Sequence, residues 1–175
     1  NSFLCFSGNG FICKGVDLVV ESFLKNPEKQ LHICGPNSEA AFFKYYGELI
    51  KNAPNITYHG FITPGEEKFN NLAAKCSFVV FHSAAESCAT SITTVMKAGL
   101  VPIMNKWTSI NMDEGCIEIS EEGDLIKNIT DTVNVVAGMN RGDYQQKVNL
   151  TLEKSKLYSE KSFTEVSSLL GILSQ

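Results

Sequence analysis

Phe78-Val79-Val80-Phe81-His82-Ser83-Ala84-Ala85-Glu86 opens the stretch that decides the fold, and Met96-Lys97-Ala98-Gly99-Leu100-Val101-Pro102-Ile103-Met104 closes it. Residues 78–81 are apolar without alternation, the pattern of a strand buried on both faces of a parallel sheet. A helix-length segment separates them from a second apolar run at 101–104, and Gly99 stands where such a helix would stop. Strand, helix and strand in that order read as a βαβ unit.

The same alternation extends in both directions. Residues 3–7 read as a strand and 8–13 as a glycine-rich loop, after which Val16, Val19, Val20, Phe23 and Leu24 mark the buried face of a helix. Residues 31–34 give a second strand, broken by Gly35-Pro36-Asn37, and Phe42, Tyr46, Leu49 and Ile50 the stripe of the next helix. A third strand is read at 56–59. Thr63-Pro64-Gly65-Glu66 then matches a capping box with proline at the first helical position, continued by Phe69, Leu72 and Ala73. Residues 116–119 are the candidate sixth strand. Leu125, Ile126, Ile129, Val133 and Val136 form a further stripe, Asp143 starts another helix, and Ser162 with Glu165 caps a last one. The expected class is α/β: a Rossmann-like, doubly wound parallel sheet with helices on both faces and strand order 3-2-1-4-5.

Length and composition agree with one domain over residues 1–175. The chain has 43% hydrophobic and 19% charged residues and a net charge of −4, and its basic residues are scattered, which argues against nucleic acid as a partner. No apolar run approaches the roughly 18 residues of a membrane span, so no direct membrane insertion is expected. The chain opens within a residue or two of a strand and without a basic-then-apolar leader, so upstream sequence is expected to be missing. Six cysteines, at 5, 13, 34, 76, 88 and 116, include no Cys-x-x-Cys pair. They read as reduced, structural thiols, with no metal site and a cytoplasmic setting. The sequons at Asn55, Asn128 and Asn149 read as chance.

Ligands of a doubly wound sheet bind beyond the carboxyl ends of the strands, where the strand order reverses. For the order above, that places a site between the loops at 8–14 and 82–90. The first ends in Lys14; the second carries Glu86 and runs into a helix opening with Thr90 and Ser91. An ammonium and a helix start favour an anion, and a carboxylate beside them suits hydroxyl groups. Phosphate with polyol points to a sugar nucleotide. Other α/β readings fail on particulars. Cys13 stands where the dinucleotide fingerprint needs its third glycine, and no acidic residue ends the second strand. A Walker loop and a receiver-type aspartate are absent too.

Several segments resemble the C-terminal domain of a GT-B glycosyltransferase of group 1. Phe3-Leu4-Cys5-Phe6-Ser7-Gly8 and Lys14-Gly15-Val16-Asp17 are similar to that family's opening strand, loop and helix start. Leu31-His32-Ile33-Cys34-Gly35 resembles its second strand, Tyr58-His59-Gly60-Phe61-Ile62 its glycine-phenylalanine turn, and Ser162-Phe163-Thr164-Glu165-Val166 its closing helix. Residues 83–102 align without gaps to its signature segment. The resemblance implies the donor-binding half of a two-domain enzyme that transfers a sugar from a nucleoside diphosphate, without metal or other cofactor, to an unknown acceptor. The partner of this half would be an N-terminal acceptor domain, through which the protein would reach the membrane periphery, with polysaccharide assembly as the setting. The catalytic group would lie in that other domain.

The donor-binding residues implied are Gly8, Asn9, Lys14, Phe61, Ile62, Glu86, Ser87, Cys88, Ala89, Thr90, Ser91 and Thr94. Glu86 matches the family's first signature glutamate, which touches donor-sugar hydroxyls; Lys14 matches its phosphate lysine. Departures are equally specific. Thr94 replaces the second glutamate, Asn9 an arginine, Ser87-Cys88-Ala89 a Gly-Phe-Gly, and Lys106-Trp107-Thr108-Ser109 a glycine-rich loop. A lost cation and a lost carboxylate together weaken donor binding by about 3 kcal/mol unless replaced, and Lys106 is a candidate replacement. The alternatives are a degenerate, non-catalytic sugar-nucleotide-binding or scaffold domain and, behind it, a GT-B-shaped enzyme such as a 2-epimerase.

Overall fold

The computed structural model describes residues 2–84, 86, 89–108 and 110–173, with 159–173 described by backbone alone. Six parallel strands stand in the order β3-β2-β1-β4-β5-β6. They are β1 (Ser2–Phe6), β2 (Gln30–Cys34), β3 (Ile56–Tyr58), β4 (Phe78–Phe81), β5 (Val101–Met104) and β6 (Ile117–Glu118). The expected order holds, and the sixth strand extends it beyond β5. The helices are α1 (Val16–Leu24), α2 (Ala40–Asn52), α3 (Glu67–Ala73), α4 (Thr90–Lys97), α5 (Leu125–Ala137) and α6 (Arg141–Leu173).

The apolar strands are buried on both faces because each side chain has a layer of helices to meet. Phe3, Cys5, Leu31, Ile33, Phe78, Val80, Val101 and Ile103 pack with Val19, Phe23, Phe42, Ile129 and Val133, the side of α1, α2 and α5. Their neighbours Leu4, Phe6, Cys34, Val79, Phe81 and Met104 pack with Phe69, Leu72, Ile92, Val95 and Met96, the side of α3 and α4. The period of two along each strand thus splits one apolar run between two cores. Gly99 ends α4 as expected, with the Leu100 N–H reaching back to the Val95 carbonyl at 3.2 Å.

Three local expectations are corrected. The capping box at Thr63 does not form: α3 begins at Glu67, after Glu66, with no side-chain cap. Gly65 has φ +87, and the Glu66 N–H bonds the Thr63 carbonyl at 3.3 Å. Pro64-Gly65 therefore occupies the centre of a tight turn whose left-handed third residue no helix can include. The two helices expected after Asp143 are one, running unbroken through Ser162, since no proline or glycine falls between Asp143 and Leu170. Asn140 caps it, its Oδ1 accepting the Asp143 N–H at 3.0 Å, so Asp143 sits inside the first turn. Leu49 is 40% exposed rather than part of the buried face of α2, which consists of Phe42 and Ile50.

Candidate functional site

The first loop is held from below. Phe11 is buried, its ring 5.0 Å from that of Phe42 and 5.7 Å from that of Phe43. The Lys14 N–H bonds the Gly10 carbonyl at 2.9 Å and the Val16 N–H bonds the Phe11 carbonyl at 2.9 Å. This coil delivers Lys14 to the mouth of the sheet. The second loop is tied to it: the Ala84 N–H donates to the Cys13 carbonyl at 2.9 Å. It is also tied to the end of β5, where the fully buried Asn105 accepts the Ser83 N–H at 3.2 Å and donates to the Ser83 carbonyl at 2.7 Å.

Between the loops, where the order turns from β1 to β4, lies a cavity of about 230 Å³. Gly8, Lys14, Phe61, Ile62, Glu86, Thr90, Ser91 and Thr94 line it, all of them expected from sequence. Phe6, Ser7, Gly35 and Pro64 line it as well, and sequence reasoning missed them. Gly35 had a signal, because it follows the second strand as Gly8 follows the first. A Cβ there would meet the Ser7 carbonyl oxygen at 2.6 Å, so the close approach of two strand ends demands glycine.

Lys14 and Glu86 meet each other. Lys14 Nζ donates to Glu86 Oε2 at 2.6 Å, with side chains 20% and 12% exposed. The α4 helix starts beside them. Its N-cap, Ala89, makes no side-chain cap bond and its first turn holds no acidic residue. The first intrahelical donor is the Ile92 N–H, bonded to the Ala89 carbonyl at 2.9 Å, so the N–H groups of Thr90 and Ser91 lie ahead of the ladder. The Thr94 hydroxyl donates back to the Thr90 carbonyl at 2.8 Å.

Other expected residues lie elsewhere. Asn9 is exposed and outside the cavity, its Oδ1 accepting the Ser38 hydroxyl at 2.7 Å. Ala89 is buried in the apolar cluster under α4, and Ser87 and Cys88 fall outside the described residues. Lys106 lies over the Trp107 ring, 4.9 Å from its centre, and does not line the cavity. His82 is buried, with Nε2 at 3.3 Å from Glu121 Oε1 but out of hydrogen-bond alignment. His32 Nδ1 and His59 Nε2 stand 3.0 Å apart, and burial pushes both imidazoles below their usual range. A shallower hollow of about 510 Å³ opens next to His59, lined also by Glu66, Glu67, Lys68 and Lys75. Burial pushes the Cys5 and Cys34 thiols up to about 12, which makes them packing groups rather than nucleophiles. Among the described residues no cluster of His, Cys, Asp and Glu is arranged to hold a metal ion.

A parallel sheet whose order reverses over a cavity lined by Lys14, Glu86 and the start of α4 defines a Rossmann-like domain with its cavity at the switch point. Residues 1–116 match the family model described as glycosyl transferases group 1, and the chain belongs to that family. No curated protein matches it significantly by sequence. Solved structures share its fold at low identity. HepE from Anabaena, solved with UDP and glucose, is 15% identical with a TM-score of 0.74, over 99% of this chain and 48% of HepE. The C-terminal domain of LpcC, a group 1 family protein of Francisella tularensis, is 16% identical with a TM-score of 0.70, over 89% of this chain and 84% of that one. The pneumococcal O-GlcNAc transferase GtfA, solved with UDP and GlcNAc, is 13% identical with a TM-score of 0.69, over 97% and 36%. This chain therefore spans less than half the length of HepE or GtfA. Among the described residues no helix is long and apolar enough to cross a membrane.

Proposed function

We propose that this chain is the donor-binding half of a glycosyltransferase, holding a nucleoside-diphosphate sugar while the sugar passes to an acceptor on a second domain. The observation that carries the reading is the convergence of Lys14, Glu86 and the α4 start on one cavity at the switch point. As the bond from sugar to diphosphate breaks, negative charge grows on the diphosphate. Lys14 and the N–H groups of Thr90 and Ser91 would stabilise it, so the step calls on no metal. Glu86 would accept hydrogen bonds from the sugar hydroxyls. Phe61, 67% exposed at the rim, and Ile62 beside it would border the base, and the Thr94 oxygen keeps a lone pair for a ribose hydroxyl.

A cavity of about 230 Å³ is small for a whole ligand, since small-molecule sites typically enclose about 300–1,000 Å³. It would hold part of the donor, with the remainder and the acceptor meeting the second domain, where the catalytic group would lie. HepE and GtfA, each solved with UDP and a sugar, support this division by their greater length. Polysaccharide assembly in the cytoplasm, with membrane contact through the second domain, is the setting proposed. The free thiols of Cys5, Cys13, Cys34, Cys76 and Cys116 fit a reducing compartment.

A second reading, a domain that binds the donor and no longer transfers the sugar, is favoured by Asn9 lying outside the cavity and Thr94 being tied to its own helix. Ligand-observed NMR of the full-length protein with UDP-, GDP- and ADP-sugars tests the first. One donor is expected to bind selectively, and Lys14→Ala to weaken it by about 10–100-fold, the worth of one charge-assisted contact. Glu86→Ala should weaken it too. Absence of binding for every donor at millimolar concentration would overturn the reading; binding without transfer to any acceptor selects the second.

A further inference from the structure

We infer that Glu86 acts as a resident anion for Lys14, so that the empty site rejects bare diphosphate and opens only to a ligand bringing hydroxyl groups as well. This selectivity rests on the donor-site reading above. Lys14 and Glu86 are the only charged side chains among the described residues that line the cavity. They touch at 2.6 Å and are largely shielded from solvent, so salt screens them less than it would a surface pair. The cavity is therefore close to neutral before any ligand arrives.

An incoming diphosphate competes with the Glu86 carboxylate for the same ammonium. If it wins, Glu86 is left shielded, unpaired and beside a second anion, which is costly. A ligand whose hydroxyls donate to Glu86 removes that cost. Diphosphate and polyol on one molecule thus satisfy both halves of the separated pair. Diphosphate alone satisfies one half and strands the other. The ion pair would accordingly favour the intact donor over the spent diphosphate.

Calorimetric titration of the full-length protein with inorganic pyrophosphate tests this without any need for base or sugar recognition. Glu86→Gln, which keeps the shape and removes the charge, should bind pyrophosphate at least about tenfold more tightly than wild type. The Lys14→Met/Glu86→Gln double variant should lose that gain, and amide spectra check that each variant is folded. Unchanged or weaker pyrophosphate binding in Glu86→Gln, or a gain that survives loss of Lys14, would overturn the inference. Failure of every nucleotide sugar to bind, with the pyrophosphate gain present, would instead reject the donor reading and leave the resident-anion role standing.

Discussion

Two helices begin at the cleft, and the chain treats their positive ends differently. The start of α1 is fastened into the fold. Its N-cap is Gly15, with φ +62, and a Cβ there would lie 1.9 Å from the His82 carbonyl oxygen. Its first turn supplies its own anion, Asp17. Burial raises the pKa of that carboxyl against its backbone hydrogen bonds, with Glu21 and Glu39 adding to the rise. Among the described residues the start of α4 shows neither device: Ala89 makes no side-chain cap bond, and its first turn holds no acidic residue. One helix start is spent on joining the loops after β1 and β4, and the other borders the cavity, where the proposed function puts the ligand. The lack of an acidic residue in the first turn of α4 is informative because Lys14, Glu86 and a cavity stand beside it.

The largest effect should come from the fastened end. Gly15→Ala places a methyl group against backbone that cannot rotate away and forces a left-handed conformation, for a loss of about 3 kcal/mol. Gly65→Ala makes the sharper comparison: its φ is also positive, at +87, but nothing lies within 4 Å of the added carbon. It should cost only about 1 kcal/mol. Urea unfolding of the two variants measures the difference, and equal losses would show that the Gly15–His82 approach does not hold the loops together.

A smaller effect is expected at the open end, and with opposite signs for two observables. Ser91→Asp supplies the carboxylate that α4 lacks, so stability should rise by about 0.3–1 kcal/mol. The same carboxylate would repel a diphosphate in the cavity, and affinity for a nucleotide sugar should drop by roughly tenfold. Thermal melts and titrations on one sample read both. Stabilisation without loss of affinity would mean that the ligand's charge does not face α4.

Much of this contrast could be read in the sequence, because the fold rests on patterns that survive without neighbours. Residues 78–81 and 101–104 are apolar throughout, which settled the parallel sheet, and the switch-point rule then singled out the loops holding Lys14 and Glu86. What failed was local chemistry in competition. At 63–66 the Pro-Gly turn prevailed over the capping box, since a left-handed Gly65 cannot sit in a helix. After Asp143 the expected break at Ser162 did not occur because a cap signal inside a helix has no force without a residue that interrupts the ladder. In the site, Phe6, Ser7 and Pro64 escaped notice because cavity walls come from strand ends and turns whose proximity is a tertiary fact, whereas Gly35 carried a signal in its place after the second strand. Asn9 shows the converse, a loop residue in the right segment that points to Ser38 instead. The Lys14–Glu86 contact was equally hidden, as 72 residues separate its partners.

The central claim, that the cavity between Lys14 and α4 takes the diphosphate of a nucleotide sugar, is tested most directly by following backbone amide shifts while a bound donor is titrated. The account predicts the largest movements at Lys14, Thr90 and Ser91. Movements centred instead on Lys68 and Lys75, around the neighbouring hollow at His59, with Thr90 and Ser91 unmoved, would contradict it.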